Sequence, residues 1–428
     1  MTAHTPMDQI RKLVAEQMRE TPLGNVDNPT YWYPLAVASY GVDEVMQAIE
    51  AMTNYRTSMW RRTAQFEDLF GELFGGEAIM VNSGSSADLL MVFANLRDSG
   101  GTLQQGDEVL VPAVTWPTHL WAVLMAGLKP VLVDVDPMNL NMCVDDLTKK
   151  ISEQTSAVFP VHLMGNPAPM GPILDLAQQN GAIVMEDSCE ALGAKWNGNH
   201  TGSIGQAGSF SFFFSHHITT MEGGMILTQD RELAERIRLL RAHGWSRNVR
   251  DQNTLHLQRS DVEGLDPRYT FVEWGFNVRP TELQAGFGLE QLGKLPAFEA
   301  NRKANVNFFS SLLVENQLDE FLALPIVERE SEPSWFALPM VVQPSSPKTR
   351  NEITDFLDKY GVETRPIVAG NLAKHPVRRR FPGIFDVSLP GAEAVHERGF
   401  YVGLYPYPME DMLTRLIELL SRLFGDPA

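Results

Sequence analysis

Ser209-Phe210-Ser211-Phe212-Phe213-Phe214-Ser215-His216-His217-Ile218-Thr219-Thr220-Met221-Glu222-Gly223-Gly224 is the stretch on which the reading of this chain turns. Residues 208–214 are small and aromatic, the composition of a buried strand, and residues 225–228 supply the next one. Between them runs a polar connection with two adjacent histidines. An imidazole can move protons near neutral pH, which is what an acid/base residue must do.

Working outward from this stretch, short apolar runs at 78–81, 108–111, 130–135, 157–162 and 183–185 alternate with helical or turn segments. That alternation implies an α/β fold with a mostly parallel sheet covered by helices on both faces. Sheets of this kind take ligands where loops leave the carboxyl ends of the strands. Helical spacing recurs at 42–52 and 66–74, and Gly75-Gly76 offers a stop. The first residues read as an accessory arm. Ile10, Leu13, Val14 and Met18 fall at helical spacing before Pro22, Gly24 and Pro29 interrupt it. After Pro296 comes a second unit, with a helix through 305–313, strands near 336–342 and helices at 350–360 and 409–424. The expected organisation is an arm at 1–32, a large domain at 33–296 and a smaller C-terminal α+β domain at 297–428.

Composition narrows the function. The chain has 428 residues, a formal charge of −18 and no basic stripe interleaved with aromatics, which disfavours nucleic-acid binding. No apolar run is long enough to span a bilayer, and the N-terminus lacks the pattern of an export signal, so the expected location is the cytoplasm. Cys143 and Cys189 are the only cysteines, too few for a four-thiolate cluster.

Two further motifs flank candidate strands. Asn82-Ser83-Gly84-Ser85-Ser86-Ala87 opens a helix, where backbone N–H groups can face an anion; a serine-rich helix cap is the plainer reading. Glu186-Asp187-Ser188-Cys189-Glu190 brings an acid to the end of a hydrophobic strand, where it can pair with a cation or simply cap a helix.

The opening stretch resembles the cofactor-anchoring segment of the nucleotide-sugar aminotransferases, in the aspartate aminotransferase superfamily (fold type I). That pattern is Ser-Phe-x-x-x-Lys-x-x-Thr-Thr-x-Glu-Gly-Gly. With Ser211-Phe212 and Thr219-Thr220 aligned to it, His216 stands where the family's lysine binds pyridoxal phosphate covalently. The run from Ser215 to Gly224 is also similar to the GDP-4-keto-6-deoxy-D-mannose 3-dehydratases. So are Arg241-Ala242-His243-Gly244-Trp245-Ser246-Arg247-Asn248, Gly275-Phe276-Asn277-Val278-Arg279-Pro280, Ser334-Trp335-Phe336 and Arg365-Pro366-Ile367-Val368-Ala369-Gly370-Asn371. The likeness departs before Tyr33, at Ser58-Met59-Trp60-Arg61, and from Asp266 to Glu273.

The resemblance implies pyridoxal or pyridoxamine phosphate held without a covalent bond, with Gly84, Ser85 and Ser211 at its phosphate. Trp116 would stack on the pyridine ring, Asp187 would pair with the ring nitrogen, and Asn277 would reach the phosphate of a neighbouring subunit in a homodimer. Arg247 would bind the substrate's phosphates, or form a surface salt bridge. His216 would be the catalytic acid/base that removes the C3 hydroxyl of a nucleotide-linked 4-keto-6-deoxy sugar, with glutamate restoring the amine. The related CDP-sugar dehydratases also carry this histidine but need an iron-sulfur cluster, so no reductase partner and no metal are expected here. Two rival readings stand beside this one. The first is an aminotransferase using another lysine such as Lys195. The second is a non-catalytic protein binding a sugar nucleotide or a B6 vitamer, in which His216 is a degenerate position.

Overall fold

The computed structural model describes residues 5–20, 31–251 and 264–425. Seven strands make the central sheet: β1 (Glu77–Val81), β2 (Glu108–Pro112), β3 (Lys129–Val133), β4 (Thr155–Val158), β5 (Ile183–Asp187), β8 (Ala207–Ser211) and β9 (Gly224–Thr228). A small three-stranded sheet joins β6 (Lys195–Trp196), β7 (Asn199–His200) and β11 (Ser331–Glu332). A four-stranded one holds β10 (Leu322–Ala323), β12 (Leu338–Val342), β13 (Thr364–Pro366) and β14 (Gly399–Val402).

The central order is β1-β9-β8-β5-β4-β2-β3, and β9 alone runs against its neighbours. Apolar residues cover both faces of the sheet, as a parallel sheet between helices requires. In β2 the alternation is visible residue by residue. Val109 and Val111 join a cluster with Leu90, Met91 and Ile237, whereas Leu110 joins one with Val158 and Ile173. The strands end sooner than the apolar runs suggest, β4 at Val158 and β8 at Ser211. The chain beyond each turns away to line the region above the sheet.

The helix Glu282–Glu315 spans 34 residues and passes through Pro296 without a break. Its start is fixed by reciprocal hydrogen bonds between Thr281 and Gln284. Leu292, Leu295 and Phe298 pack with Phe66 and Phe212 of the central unit, while Val306, Phe309 and Leu313 pack with Leu338 and Leu416 of the C-terminal one. One rod therefore serves two cores, and the change of partner falls between Phe298 and Val306. Tyr33 sits in the C-terminal core as well, its hydroxyl donating to the Gly403 carbonyl at 2.8 Å. The segment at Tyr33 is therefore held by the C-terminal core.

In the arm, the helix Pro6–Glu20 contains the spaced Ile10, Leu13, Val14 and Met18, and Arg11 pairs with Asp43 on the helix Val42–Thr53. Pro22, Gly24 and Pro29 lie outside the described residues. Gly75 ends the helix Arg61–Phe74 in the left-handed conformation, with φ of 84°. Among the described residues, no helix is long and apolar enough to cross a membrane.

Candidate active site

The carboxyl ends of the parallel strands converge on one region. β1 leads into the helix Gly84–Ala94, which begins three residues before the expected Ala87. Ser83 caps it, its Oγ accepting from the Ser86 N–H at 3.1 Å, so the capping reading is realised one residue upstream of Gly84. The first-turn N–H groups beyond the cap point outward, where an anion is favoured. Gly84 is tightly enclosed: a Cβ there would lie 2.6 Å from the Ser211 Cβ and 3.1 Å from the Cys189 Sγ. Gly224 is equally constrained, since a Cβ on it would meet the Ser83 carbonyl oxygen at 2.4 Å. The glycine after Gly223 thus lets β9 pass under the serine turn. Ser85 reaches sideways to Thr118, 3.0 Å between hydroxyl oxygens. The three residues expected at a phosphate are brought together, Gly84 against Ser211 and Ser85 beside them.

Asp187 ends β5 and does not cap a helix. Its Oδ1 accepts from the Cys189 N–H at 2.7 Å, and its Oδ2 meets the Nε2 of His119. The other ring nitrogen of His119 lies 2.9 Å from both the Trp116 carbonyl oxygen and Thr115 Oγ1. A second buried carboxylate, Asp88, has Oδ2 3.8 Å from the same Nε2, and its Oδ1 accepts from Ser209 Oγ at 2.6 Å. Burial alone would push His119 down, but the Asp187 and Asp88 charges outweigh it and raise the imidazole to about 9. It is therefore a cation at neutral pH. Burial pushes Asp187 up, and His119 more than offsets this, leaving it lowered and ionised. Burial and the Asp187 charge together push Asp88 up to about 7. These three donor sets lie within 4.8 Å of one another, a spacing that a metal could use.

Neighbouring Glu186 has a different task. It accepts from the N–H groups of Gly202, Ile204 and Gly205 at 2.6–2.9 Å and pairs with buried His162, so it fastens the β5 end rather than facing the site.

His216 lies on the turn after β8. The turn closes on itself: Thr220 N–H donates to the Phe212 carbonyl at 2.9 Å, and Phe212 N–H to that of Gly223 at 2.9 Å. Gln291 accepts from Thr219 N–H at 3.1 Å. His217 points away and donates from Nε2 to the Ser334 carbonyl at 2.8 Å. The His216 ring is half-buried and meets Phe336 edge-on, with centroids 5.0 Å apart. Its Nδ1 is shut off from solvent and has no partner among the described residues. Burial is the main cause that lowers it, Arg302 adds to this and Asp187 partly opposes it, bringing the imidazole to about 4. At neutral pH it is an uncharged base with one nitrogen unspent. Arg302 holds the strip opposite, donating to the Trp335 and Phe336 carbonyls at 3.2 and 2.7 Å.

Trp116 is 60% exposed beside the His119 pair, a flat apolar face on which no described ring or cation stacks. Asn277 is also exposed. Its Oδ1 accepts from Arg279 Nε at 2.9 Å, and the adjoining Val278 carbonyl accepts from Asn82 N–H at 3.0 Å. Arg247 lies over the Trp245 ring, 5.4 Å from its centroid, and among the described residues it forms no salt bridge. Sequence reading missed Asp88, His119, Phe336 and Arg302. Only Ser334-Trp335-Phe336 left a trace, as a matched motif without an assigned role.

An anion cradle, a buried carboxylate, an uncovered tryptophan and an orphaned imidazole nitrogen fit a flat, phosphorylated heteroaromatic ring with a basic nitrogen. With the sheet topology, they define the fold of the type I pyridoxal-phosphate-dependent transferases. Residues 39–421 match the model of the DegT/DnrJ/EryC1/StrS aminotransferase family, and the chain belongs to that family. It is 35% identical over 395 residues to the GDP-4-keto-6-deoxy-D-mannose 3-dehydratase of Yersinia pseudotuberculosis, covering 91% of this chain and 98% of that one. It superposes on the structure of the E. coli GDP-4-keto-6-deoxy-D-mannose-3-dehydratase with bound hydrated PLP with a TM-score of 0.85. That match has 34% identity and covers 91% and 99% of the two chains. A GDP-4-keto-6-deoxymannose-3-dehydratase structure with a trapped PLP-glutamate geminal diamine matches with a TM-score of 0.84 and 34% identity, covering 91% and 100%.

Proposed function

We propose that this chain is a pyridoxamine-phosphate-dependent 3-dehydratase of a nucleotide-linked 4-keto-6-deoxyhexose, GDP-4-keto-6-deoxymannose being the substrate favoured by the relatives. The observation that carries the reading is His216: an uncharged, half-buried imidazole with a free nitrogen, at the position of the family's lysine. The bound cofactor supplies an amine that condenses with the C4 ketone and a ring that stores an electron pair. Gly84, Ser85 and Ser211 hold its phosphate, Trp116 covers one face of the ring, and Asp187 stands at the ring nitrogen. His216 takes a proton at the cofactor's C4′ carbon and returns one to the departing C3 hydroxyl. Phe336 and the strip pinned by Arg302 keep water from that imidazole.

An imidazole cannot bond covalently to the cofactor aldehyde as a lysine does, so the amine form survives to meet the ketone. The overall balance is sugar plus glutamate giving 3-deoxy sugar, 2-oxoglutarate and ammonia. Arg247, presented on an aromatic platform, takes the substrate's phosphates. Asn277 reaches the phosphate site of a second copy, which makes the working unit a homodimer. Its co-substrates are those of a cytoplasmic enzyme. Incubation with pyridoxamine phosphate, glutamate and the GDP-sugar tests the reading: ammonia and 2-oxoglutarate appear in equal amounts. Glutamate consumption with no ammonia would mean amino transfer and refute it.

A further inference from the structure

The Asp88–His119–Asp187 cluster contains one carboxylate more than the pairing of Asp187 with His119 needs. Asp88 projects from the second turn of the helix Gly84–Ala94, fully enclosed, between Ser209 on β8 and His119 on the helix Thr118–Met125. A buried acid without a full counter-charge is costly to keep ionised. The cluster has one strong cation, His119, for two acids. The arrangement becomes neutral with both acids ionised only when a second cation arrives at Asp187. A protonated pyridine nitrogen is such a cation.

We propose that Asp88 is a positioning residue that gives up its proton when a cationic ring nitrogen docks at Asp187, so that cofactor affinity is coupled to the charge on Asp88. This rests on the reading that Asp187 faces the ring nitrogen. In the free protein Asp88 holds its proton up to about pH 7. Ring docking adds a positive charge beyond His119, pulls the Asp88 titration down and releases a proton to solvent. By linkage the ring binds more tightly as pH rises through that range. Each unit by which the titration moves is about a tenfold gain in affinity. The groups facing Asp88 are His119, Asp187, the Ser209 hydroxyl and, behind Ser209, the Cys189 thiol, which burial pushes well above its usual range. Glu190 faces Asp187 and His119 from the turn after β5, and burial pushes it up to about 7, so it must be separated from Asp88.

The test is a fluorescence titration of pyridoxamine phosphate binding between about pH 5.5 and about pH 8.5, with proton release read by calorimetry in two buffers. The cofactor's own titrations are common to all variants and cancel in the comparison. Relative to Asp88→Asn, the wild-type chain should gain at least about tenfold in affinity across this range and release a proton that the variant does not. Ser209→Ala removes a donor that favours the ionised acid, so it should move the midpoint upward, and it serves if Asp88→Asn fails to fold. An unchanged pH dependence in Asp88→Asn, or its loss in Glu190→Gln instead, overturns the proposal. Asp187→Ala separates the two readings: lost ring binding upholds the Asp187 role whatever Asp88 does, and retained binding removes both.

Discussion

Gly84→Ala tests the phosphate cradle with a single methyl group. The added Cβ would sit 2.6 Å from the Ser211 Cβ, 3.0 Å from its Oγ and 3.1 Å from the Cys189 Sγ. Ser211 ends a sheet strand, so the methyl meets a fixed neighbour and not the far end of a flexible side chain. Restoring an ordinary carbon–carbon contact of about 3.6 Å requires the helix start and the β8 end to part by roughly 1 Å. Overpacking of this size costs about 1–3 kcal/mol, and the gain in helix propensity returns at most about 1 kcal/mol. Net destabilisation should therefore be modest, and the fold should persist. The larger effect falls on the ligand. A shift of that size lengthens at least one charge-assisted N–H contact to a bound phosphate, worth about 1.5–3 kcal/mol, or a loss of about 10- to 100-fold in affinity. Urea unfolding reads the first quantity, and a fluorescence titration with pyridoxamine phosphate reads the second. A folded Gly84→Ala chain that binds the cofactor as tightly as the wild type would refute the placement of the phosphate.

Further outcomes follow from other parts of the molecule. Glu67→Gln weakens both the 2.5 Å pairing with buried Arg241 and the 2.8 Å pairing with Arg250, so denaturation should show a loss of about 3–5 kcal/mol; under 1 kcal/mol would mean the network is idle. Gly165 has φ of 85°, and a Cβ there would meet the Ser334 carbonyl at 1.8 Å, so Gly165→Ala should unseat the His217 and Phe336 strip and yield little soluble protein, which expression yield and circular dichroism would report. Because burial depresses both His216 and His217 below the unfolded histidine range, the unfolded chain binds more protons in mild acid. The contribution of these two rings is thus full above about pH 6.5 and falls as pH drops toward 4; His217→Asn should remove its share of that decline in unfolding curves. With cofactor and substrate saturating, kcat should show no loss near pH 6.5 traceable to His216, since that ring stays neutral to about pH 4.

The sequence was most legible where chemistry and chain order coincide. The turn from Ser211 to Gly224 carries its closing threonine, its glycines and its histidines within one loop, and the structure keeps them together. The strands were readable for the same reason, because short apolar runs bounded by turns leave few alternatives. Asp88 and His119 were not readable. Each lies on a largely buried helix among apolar neighbours, and only the packing of those two helices against each other brings them to Asp187. Pro296 could be read as punctuation but not as part of a continuous rod. Packing of Leu292, Leu295 and Phe298 against one core, on both sides of the proline, outweighs one lost hydrogen bond. Tyr33 shows a limit at the other end, since the aromatic run Tyr31-Trp32-Tyr33 says nothing about which core will bury it.

On the reading proposed above, His216 makes this fold a dehydratase. Mass spectrometry of the sugar product from the wild-type chain and from His216→Lys, each given pyridoxamine phosphate, glutamate and GDP-4-keto-6-deoxymannose, tests it most directly. The wild type should return a sugar lacking one oxygen, and the variant should make little of it while gaining a covalent cofactor adduct. An aminated sugar from the wild type, or undiminished deoxygenation by the lysine variant, would contradict the account.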